Sequence, residues 1–298
     1  MPARITAIVA RTTMPPQGLW LFVRRCVLPL IALSFAAPAA AETVRVGGIG
    51  AALETMRLLG EAFRKNHPGA DIVVVPRLGS SGGIKAVLDG TIDLSVSGRP
   101  LKDQERAQGA FAVEYGRSPF VFAVASRSKI SAITLRELLA IYKGETASWP
   151  DGSPLRLVLR LKTESDIEIL KGVSPEMSAA VDAALAREGM IVAMTDQDNA
   201  VRLEKIPGAI GTSNLVQIVT EKRPLKPLKL DGVAPSADTL ANGAYRHYKP
   251  FLFVTGPKAS PLARKFVEFA GSPAGRAILA QNGYWVAPRQ KPRAEHPE

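Results

Sequence analysis

The chain has 298 residues, 46% of them apolar and 22% charged, which is the composition of a folded globular protein and excludes a disordered or collagen-like chain. Its length admits one large domain or two medium ones, with a core that needs no disulfide or metal staple. The formal charge is +11 and the single cysteine is Cys26. Everything after that residue is therefore excluded from disulfides, thiolate zinc sites and Cys–His catalysis.

Residues 1–41 hold four arginines (Arg4, Arg11, Arg24, Arg25) and no acid. An apolar run, CVLPLIALSFAAPAAA, follows from Cys26 and ends in small residues. A basic region, a short apolar stretch and an A-x-A site at Ala39–Ala41 read as an export signal cleaved after Ala41. Sixteen residues are short for a spanning helix, and the alternative of an uncleaved anchor ranks second. The mature chain has 257 residues, with 34 basic and 27 acidic side chains. A basic exported protein argues against nucleic acid and leaves two readings open, a basic pI with no partner implied or electrostatic steering of a small anion. No dense run of Lys and Arg is present.

After the signal, strands and helices alternate. Residues 44–46 predict a strand, and Leu53, Met56, Leu59 and Phe63 mark one face of a helix. Residues 72–75 form a β-branched strand ended by Pro76, and residues 82–88 a helix with Ile84, Val87 and Leu88 inward. Ile92, Leu94 and Val96 alternate as in a half-buried strand, and residues 120–125 are a continuous apolar strand. Thr134 caps a helix carrying Leu135, Leu138, Leu139 and Tyr142. Strands follow at residues 155–160, 209–212, 225–230 and 251–255, with a helix opening at Ser174-Pro175. Ser260-Pro261 and Ser272-Pro273 each pair a cap with proline at the first helical position. Asp196, Asp198 and Glu204 read as a solvated helix face, and His67, His247 and His296 as packing or surface residues. The alternation predicts an α/β protein with largely parallel sheets.

Two turns between a strand and a helix are rich in glycine. The first is Val46-Gly-Gly-Ile-Gly-Ala-Ala-Leu53 and the second Leu78-Gly-Ser-Ser-Gly-Gly-Ile-Lys85. Glycine permits close backbone approach, and the free N–H groups and dipole at a helix start favour an anion. A tight turn also serves packing alone, so the first is the weaker signal. A dinucleotide fingerprint is excluded there, because Leu53 stands where a third glycine is needed. Ser80 and Ser81 add hydroxyls in the second turn, and Ser97, Gly98 and Arg99 end a strand at the same sheet edge. Ligands of open α/β sheets bind at such an edge.

The span of residues 79–101, GSSGGIKAVLDGTIDLSVSGRPL, closely resembles the phosphate-binding proteins of ABC importers. Pro207-Gly-Ala-Ile-Gly211, Tyr245 to Pro250, Ser272-Pro-Ala-Gly275 and Gly283-Tyr284 continue the likeness in order and spacing. The resemblance covers nearly all of residues 43–288 and implies a two-lobed type II periplasmic-binding-protein fold. Each lobe would be a mostly parallel sheet flanked by helices, with two hinge crossings. Residues 42–122 and 248–288 would form lobe 1, residues 123–247 lobe 2, and residues 289–298 a tail. The resemblance implies capture of phosphate or a related tetrahedral oxyanion, delivery to ABC permease subunits, a monomer in the periplasm, and no enzymatic activity, cofactor or metal. It maps the anion site onto Gly50, Ala51, Ser80, Ser81, Ser97, Gly98 and Arg99 in lobe 1, and Arg160, Ser165 and Asp166 in lobe 2.

The sequence departs from that family at three points. Gly50 and Ala51 lack the hydroxyl of the first turn, Gly98 replaces a carboxylate, and Ser165-Asp166-Ile167 replaces a Ser-Gly-Thr turn. The lost carboxylate accepts the proton of hydrogen phosphate and repels ionised sulfate, since two facing acceptors are costly. Asp166 or Glu164 is expected to supply that acceptor from the opposite lobe. Thr212 and Ser213 are further candidates to reach the cleft. A sensor or scavenger without a transporter, and a periplasmic phosphohydrolase, are the rival readings; no nucleophile–His–acid set or metal cluster supports the second.

Overall fold

The computed structural model describes residues 42–288; the expected export signal and the expected tail lie outside them. The first part of the chain runs β1 (Glu42–Gly48), α1 (Leu53–Asn66), β2 (Ala70–Val75), α2 (Gly79–Asp89), β3 (Leu94–Ser97), α3 (Asp103–Ala107) and β4 (Phe111–Ala125). It continues through β5 (Ala132–Ile133), α4 (Leu135–Lys143), β6 (Arg156–Arg160), α5 (Ser165–Lys171), α6 (Pro175–Ala186), β7 (Ile191–Ala193), α7 (Asp196–Lys205) and β8 (Ala209–Asn214). The last part is α8 (Leu215–Thr220), β9 (Leu225–Pro227), β10 (Lys229–Leu230), α9 (Ala237–Ala241), β11 (Tyr248–Thr255), α10 (Pro261–Ala270) and α11 (Pro273–Gln281).

The expected α/β alternation is present, in two lobes. In the first, β1 lies between β2 and β3, parallel to both, and β11 joins β3 antiparallel. In the second, β6 lies between β7 and β8, parallel to both. Both central strands therefore deliver their C-terminal ends to one edge, as an α/β ligand site requires.

The lobes share β4. Residues 111–119 pair antiparallel with β11, and residues 120–125 pair with β8 and β9. The expectation of a strand over residues 120–125 captured only the second half. The first half carries Glu114, Gly116, Arg117 and Pro119, which hide a strand from a hydropathy pattern. The return crossing is tied to the outgoing one: Tyr245 Oη donates to the Phe120 carbonyl at 2.8 Å, and the Phe120 N–H donates to the His247 carbonyl at 3.0 Å.

Side-chain alternation explains why helices cover both faces of the second sheet. Phe120, Phe122, Leu157 and Leu159 pack with Leu138, Tyr142, Ile167 and Val181. Val121 and Val158, one residue out of phase, pack with Ala200 and Leu203 on the other face. In the first lobe Met56, Leu59 and Phe63 of α1 meet Val44, Val46, Phe253 and Phe266. That is the helix face predicted from their spacing. Thr134, Ser260 and Ser272 cap their helices, accepting from Glu137 N–H, Ala263 N–H and Gly275 N–H at 3.1, 3.1 and 3.2 Å.

Candidate functional site

The end of β1 turns sharply. Gly48 has φ 137°, and a Cβ there would lie 2.0 Å from the Val96 carbonyl oxygen, so only glycine fits. The chain then forms a 3-10 turn over Gly50–Ala52 that runs into α1. The Ala51 N–H points across to the second lobe and donates to Asp196 Oδ2 at 3.2 Å. The Gly50 carbonyl accepts from Gln197 Nε2 at 3.1 Å.

In the first turn of α2, Ser80 is buried and its Oγ accepts from the Gly98 N–H at 2.9 Å. Gly98 is closely surrounded by side chains of both lobes. A Cβ there would lie 2.5 Å from Ile49 Cδ1, 3.0 Å from Lys249 Cδ and 3.2 Å from Ser165 Oγ. A side chain at this position would have to displace the end of Ile49 and crowd Lys249 and Ser165.

The second lobe presents Arg160 at the end of β6, with only 1% of its surface exposed. Its Nη1 donates to the Ala193 carbonyl and its Nη2 to Asp196 Oδ1, each at 3.3 Å. Glu164 Oε2 lies 3.4 Å from Nη2, and Asp166 Oδ2 lies 3.9 Å from Nε. Asp166 is buried too, accepting from Thr212 Oγ1 at 3.0 Å and pairing through Oδ1 with Lys249 Nζ. Lys249, at the start of β11, has no exposed surface at all. An open ring of contacts thus runs from Ala51 through Asp196, Arg160, Asp166 and Lys249 to Gly98 and Ser80, with Glu164 beside Arg160.

This ring holds two cations, Arg160 and Lys249, and three acids, Glu164, Asp166 and Asp196. Burial alone would lower the Arg160 pKa, but Asp196, Asp166 and Glu164 outweigh it and hold the guanidinium charged. Burial would raise Asp166; the Lys249 ammonium and Arg160 overcome it and keep the carboxyl below its ordinary range. Glu164 goes the other way. Desolvation, helped by Asp196 and Asp166, prevails over Arg160 and raises its pKa. Ser165 Oγ and Arg160 Nε are buried with no hydrogen-bond partner. Buried polar atoms left without a partner call for one, such as a water, an ion or a polar ligand.

Of the residues expected at the site, Gly50, Ala51, Ser80, Gly98, Arg160, Ser165 and Asp166 are brought together here. Thr212 joins them, whereas Ser97, Ser81 and Arg99 serve the loop beside them. Ser97 Oγ donates to the Arg99 carbonyl at 2.7 Å and accepts the Arg99 N–H at 3.2 Å. The Arg99 guanidinium grips Glu105 at 2.7 and 2.9 Å and reaches Ser81 Oγ at 3.1 Å, so its fork is turned away from the cleft. Of the two acids expected to replace the missing carboxylate, Asp166 has its oxygens committed to Lys249 and Thr212. Glu164 makes one charged contact and its Oε1 lies 3.6 Å from a Cβ built on Gly79.

Two residues escaped the sequence reading. Asp196 is no part of a solvated face; it is only 6% exposed and opens α7 into the cleft. Lys249 was legible as a lone charge in the otherwise apolar run YKPFLFV. A cavity of about 820 Å³ opens beside the ring, lined by Leu53, Arg57 and Arg77 of lobe 1 and by Thr195, Gln197 and Lys222 of lobe 2. Among the described residues no group of three or more His, Cys, Asp or Glu could hold a metal ion.

The chain is similar to the phosphate-binding protein PstS of Bacillus subtilis, with 25% identity over 253 residues, covering 82% of this chain and 81% of that one. Its fold matches a protein from Clostridium perfringens assigned as a phosphate ABC transporter substrate-binding protein and holding phosphate. There the TM-score is 0.71 at 21% identity, covering 83% of this chain and all of the other. It also matches an ABC-type phosphate transport receptor from Vibrio cholerae, with TM-score 0.59 at 17% identity, covering 82% and 100%. The architecture is that of the type II periplasmic-binding proteins. The model of the PBP superfamily domain matches residues 34–274, and the chain belongs to that family.

Proposed function

We propose that the cleft captures phosphate between the two lobes and delivers it to the permease of an ABC importer. The observation that carries this reading is the unpartnered pair, Ser165 Oγ and Arg160 Nε, buried opposite the N-terminal turns that lead into α1 and α2. A guanidinium fork matches two oxygens of a tetrahedral anion, and first-turn N–H groups match the others. The B. subtilis and C. perfringens relatives, with their phosphate-related names, support the choice of anion. About five charge-assisted hydrogen bonds of roughly 1.5–3 kcal/mol each give about 8–15 kcal/mol gross. Ordering and closure take several kcal/mol back. A micromolar constant needs about 8 kcal/mol, so such a site reaches it with most of its contacts made.

The chain acts as a monomer, in the periplasm, after removal of its first 41 residues. The pairing switch of β4 between Pro119 and Phe120 moves the outgoing hinge three residues ahead of the 122–123 division, whereas Tyr248, paired with Pro119, supports the return division at 247–248.

Glu164 takes over the role of the carboxylate that Gly98 lacks. Ionised, it accepts the proton of hydrogen phosphate and repels sulfate. Calorimetric titration of phosphate and sulfate at pH 8 into the wild type and Glu164→Gln tests this. The wild type should prefer phosphate, and the variant should lose most of that preference by gaining sulfate. Equal preference in both proteins would remove Glu164 from this role, and no binding of either anion would remove the function.

A further inference from the structure

Asp196 makes the contacts that an anion in the cleft would make. One carboxylate oxygen accepts the Ala51 N–H of the first lobe at 3.2 Å, and the other accepts from Arg160 Nη2 of the second at 3.3 Å. The residue next to it, Gln197, donates to the Gly50 carbonyl at 3.1 Å and is itself held by a bond to Glu221 Oε1 at 3.0 Å. Thr195 caps α7 through the Asp198 N–H at 3.1 Å, so the Asp196 carboxylate is not needed as the helix cap.

The approach is built into the sequence of the first lobe. A Cβ on Gly50 would lie 2.6 Å from Gln197 Oε1 and 2.8 Å from Asp196 Oδ2. A side chain at position 50 would have to displace the Gln197 and Asp196 side-chain ends from the turn. The absence of a hydroxyl on the first turn is thus the other half of the Asp196 contact: the turn gave up its side chain where the opposite lobe supplies a carboxylate.

We infer that Asp196 is a resident anion, tethering the lobes and competing with the captured oxyanion for the Ala51 N–H and the Arg160 guanidinium. The competition rests on the phosphate reading above; the tether does not. Binding exchanges the carboxylate for ligand oxygens on the same donors. The affinity is set by the difference between two anions rather than by the full strength of the site. Removing the carboxylate removes the competitor and leaves the guanidinium less neutralised, so the ligand gains. Were Asp196 instead to face the bound anion as a proton acceptor, its removal would weaken binding. The sign of the effect decides between the two.

The test uses the full mature chain, stripped of anions, as wild type, Asp196→Ala and Asp196→Asn. Phosphate is titrated by calorimetry at pH 8, and small-angle scattering is recorded without and with phosphate. Asp196→Ala should bind phosphate about tenfold more tightly or better, which is about 1.4 kcal/mol. Its radius of gyration without anion should exceed that of the wild type and fall on adding phosphate. Asp196→Asn keeps the shape and an oxygen for the Ala51 N–H, so it should fall between the two and guards against a folding defect. Unchanged or weaker phosphate binding in Asp196→Ala overturns the competition. If no protein of the series binds phosphate, the functional reading fails and scattering alone decides: a more open Asp196→Ala upholds the tether, and identical curves overturn it.

Discussion

Lys249 and Asp166 form an ion pair with no access to water, at the point where the second crossing enters lobe 1. Taking either partner away leaves a buried charge, which costs about 3–5 kcal/mol. The two halves of the pair are not equivalent. Asp166 without Lys249 still has Arg160 Nε at 3.9 Å and the Thr212 hydroxyl at 3.0 Å. Lys249 without Asp166 has no other carboxylate within ion-pair distance among the described residues. Lys249→Met should therefore cost about 3 kcal/mol and Asp166→Asn about 5 kcal/mol. At about 2–4 °C per kcal/mol for a protein of this size, the melting temperature should fall by roughly 6–12 °C and 10–20 °C. The double variant, with no charge left unpaired, should cost less than the sum by 1 kcal/mol or more. Urea denaturation and calorimetry on all four proteins give the cycle. The folded-state pKa of Asp166 lies below its ordinary 3.8, so its stabilising contribution is present above that pH and lost as the pH falls through the lower folded value. The gap between wild type and Asp166→Asn should accordingly close on acidification. Single variants within 1 kcal/mol of wild type, or strictly additive losses, would refute the reasoning.

The other predictions concern the cleft itself. Arg160→Lys replaces a planar fork with a point charge and should weaken phosphate binding by about tenfold to a hundredfold, corresponding to a lost charge-assisted bond of about 1.5–3 kcal/mol, read by calorimetry. Gly98→Asp restores the family's carboxylate into space held by Ile49, Lys249 and Ser165; it should lower the melting temperature and phosphate affinity together rather than improve selectivity. The preference for phosphate over sulfate should be lost as the pH falls through the Glu164 pKa. That pKa is raised by burial, so the loss should begin above 4.5 and be absent in Glu164→Gln.

The alternation of strands and helices was readable because each element buries one face, and burial writes its period into the residues. The helix face of Leu59 and Phe63, and the caps at Thr134, Ser260 and Ser272, are local features of this kind. The glycine-rich turns were readable for the same reason, since a strand end followed by a helix start is visible within a few residues; Arg160 was placed by the family resemblance. What escaped depends on distant partners. Asp196 looks solvated beside Gln197 and Asp198, yet its partners Arg160 and Ala51 stand 36 and 145 residues away. Lys249 and Asp166 meet across 83 residues. Arg99 carries the right chemistry for an anion clamp at the right sheet edge, but Glu105, six residues on, takes its fork. Sequence spacing shows which groups reach an edge; it does not show which of them are already spent.

Capture of phosphate in the cleft is tested most directly by titrating phosphate into the anion-stripped mature protein and into Arg160→Met. The wild type should bind one phosphate per chain with Kd of about 1 µM or tighter, corresponding to about 8 kcal/mol, and the variant should give no saturable heat. Absence of binding in the wild type, or equal binding in Arg160→Met, would contradict it.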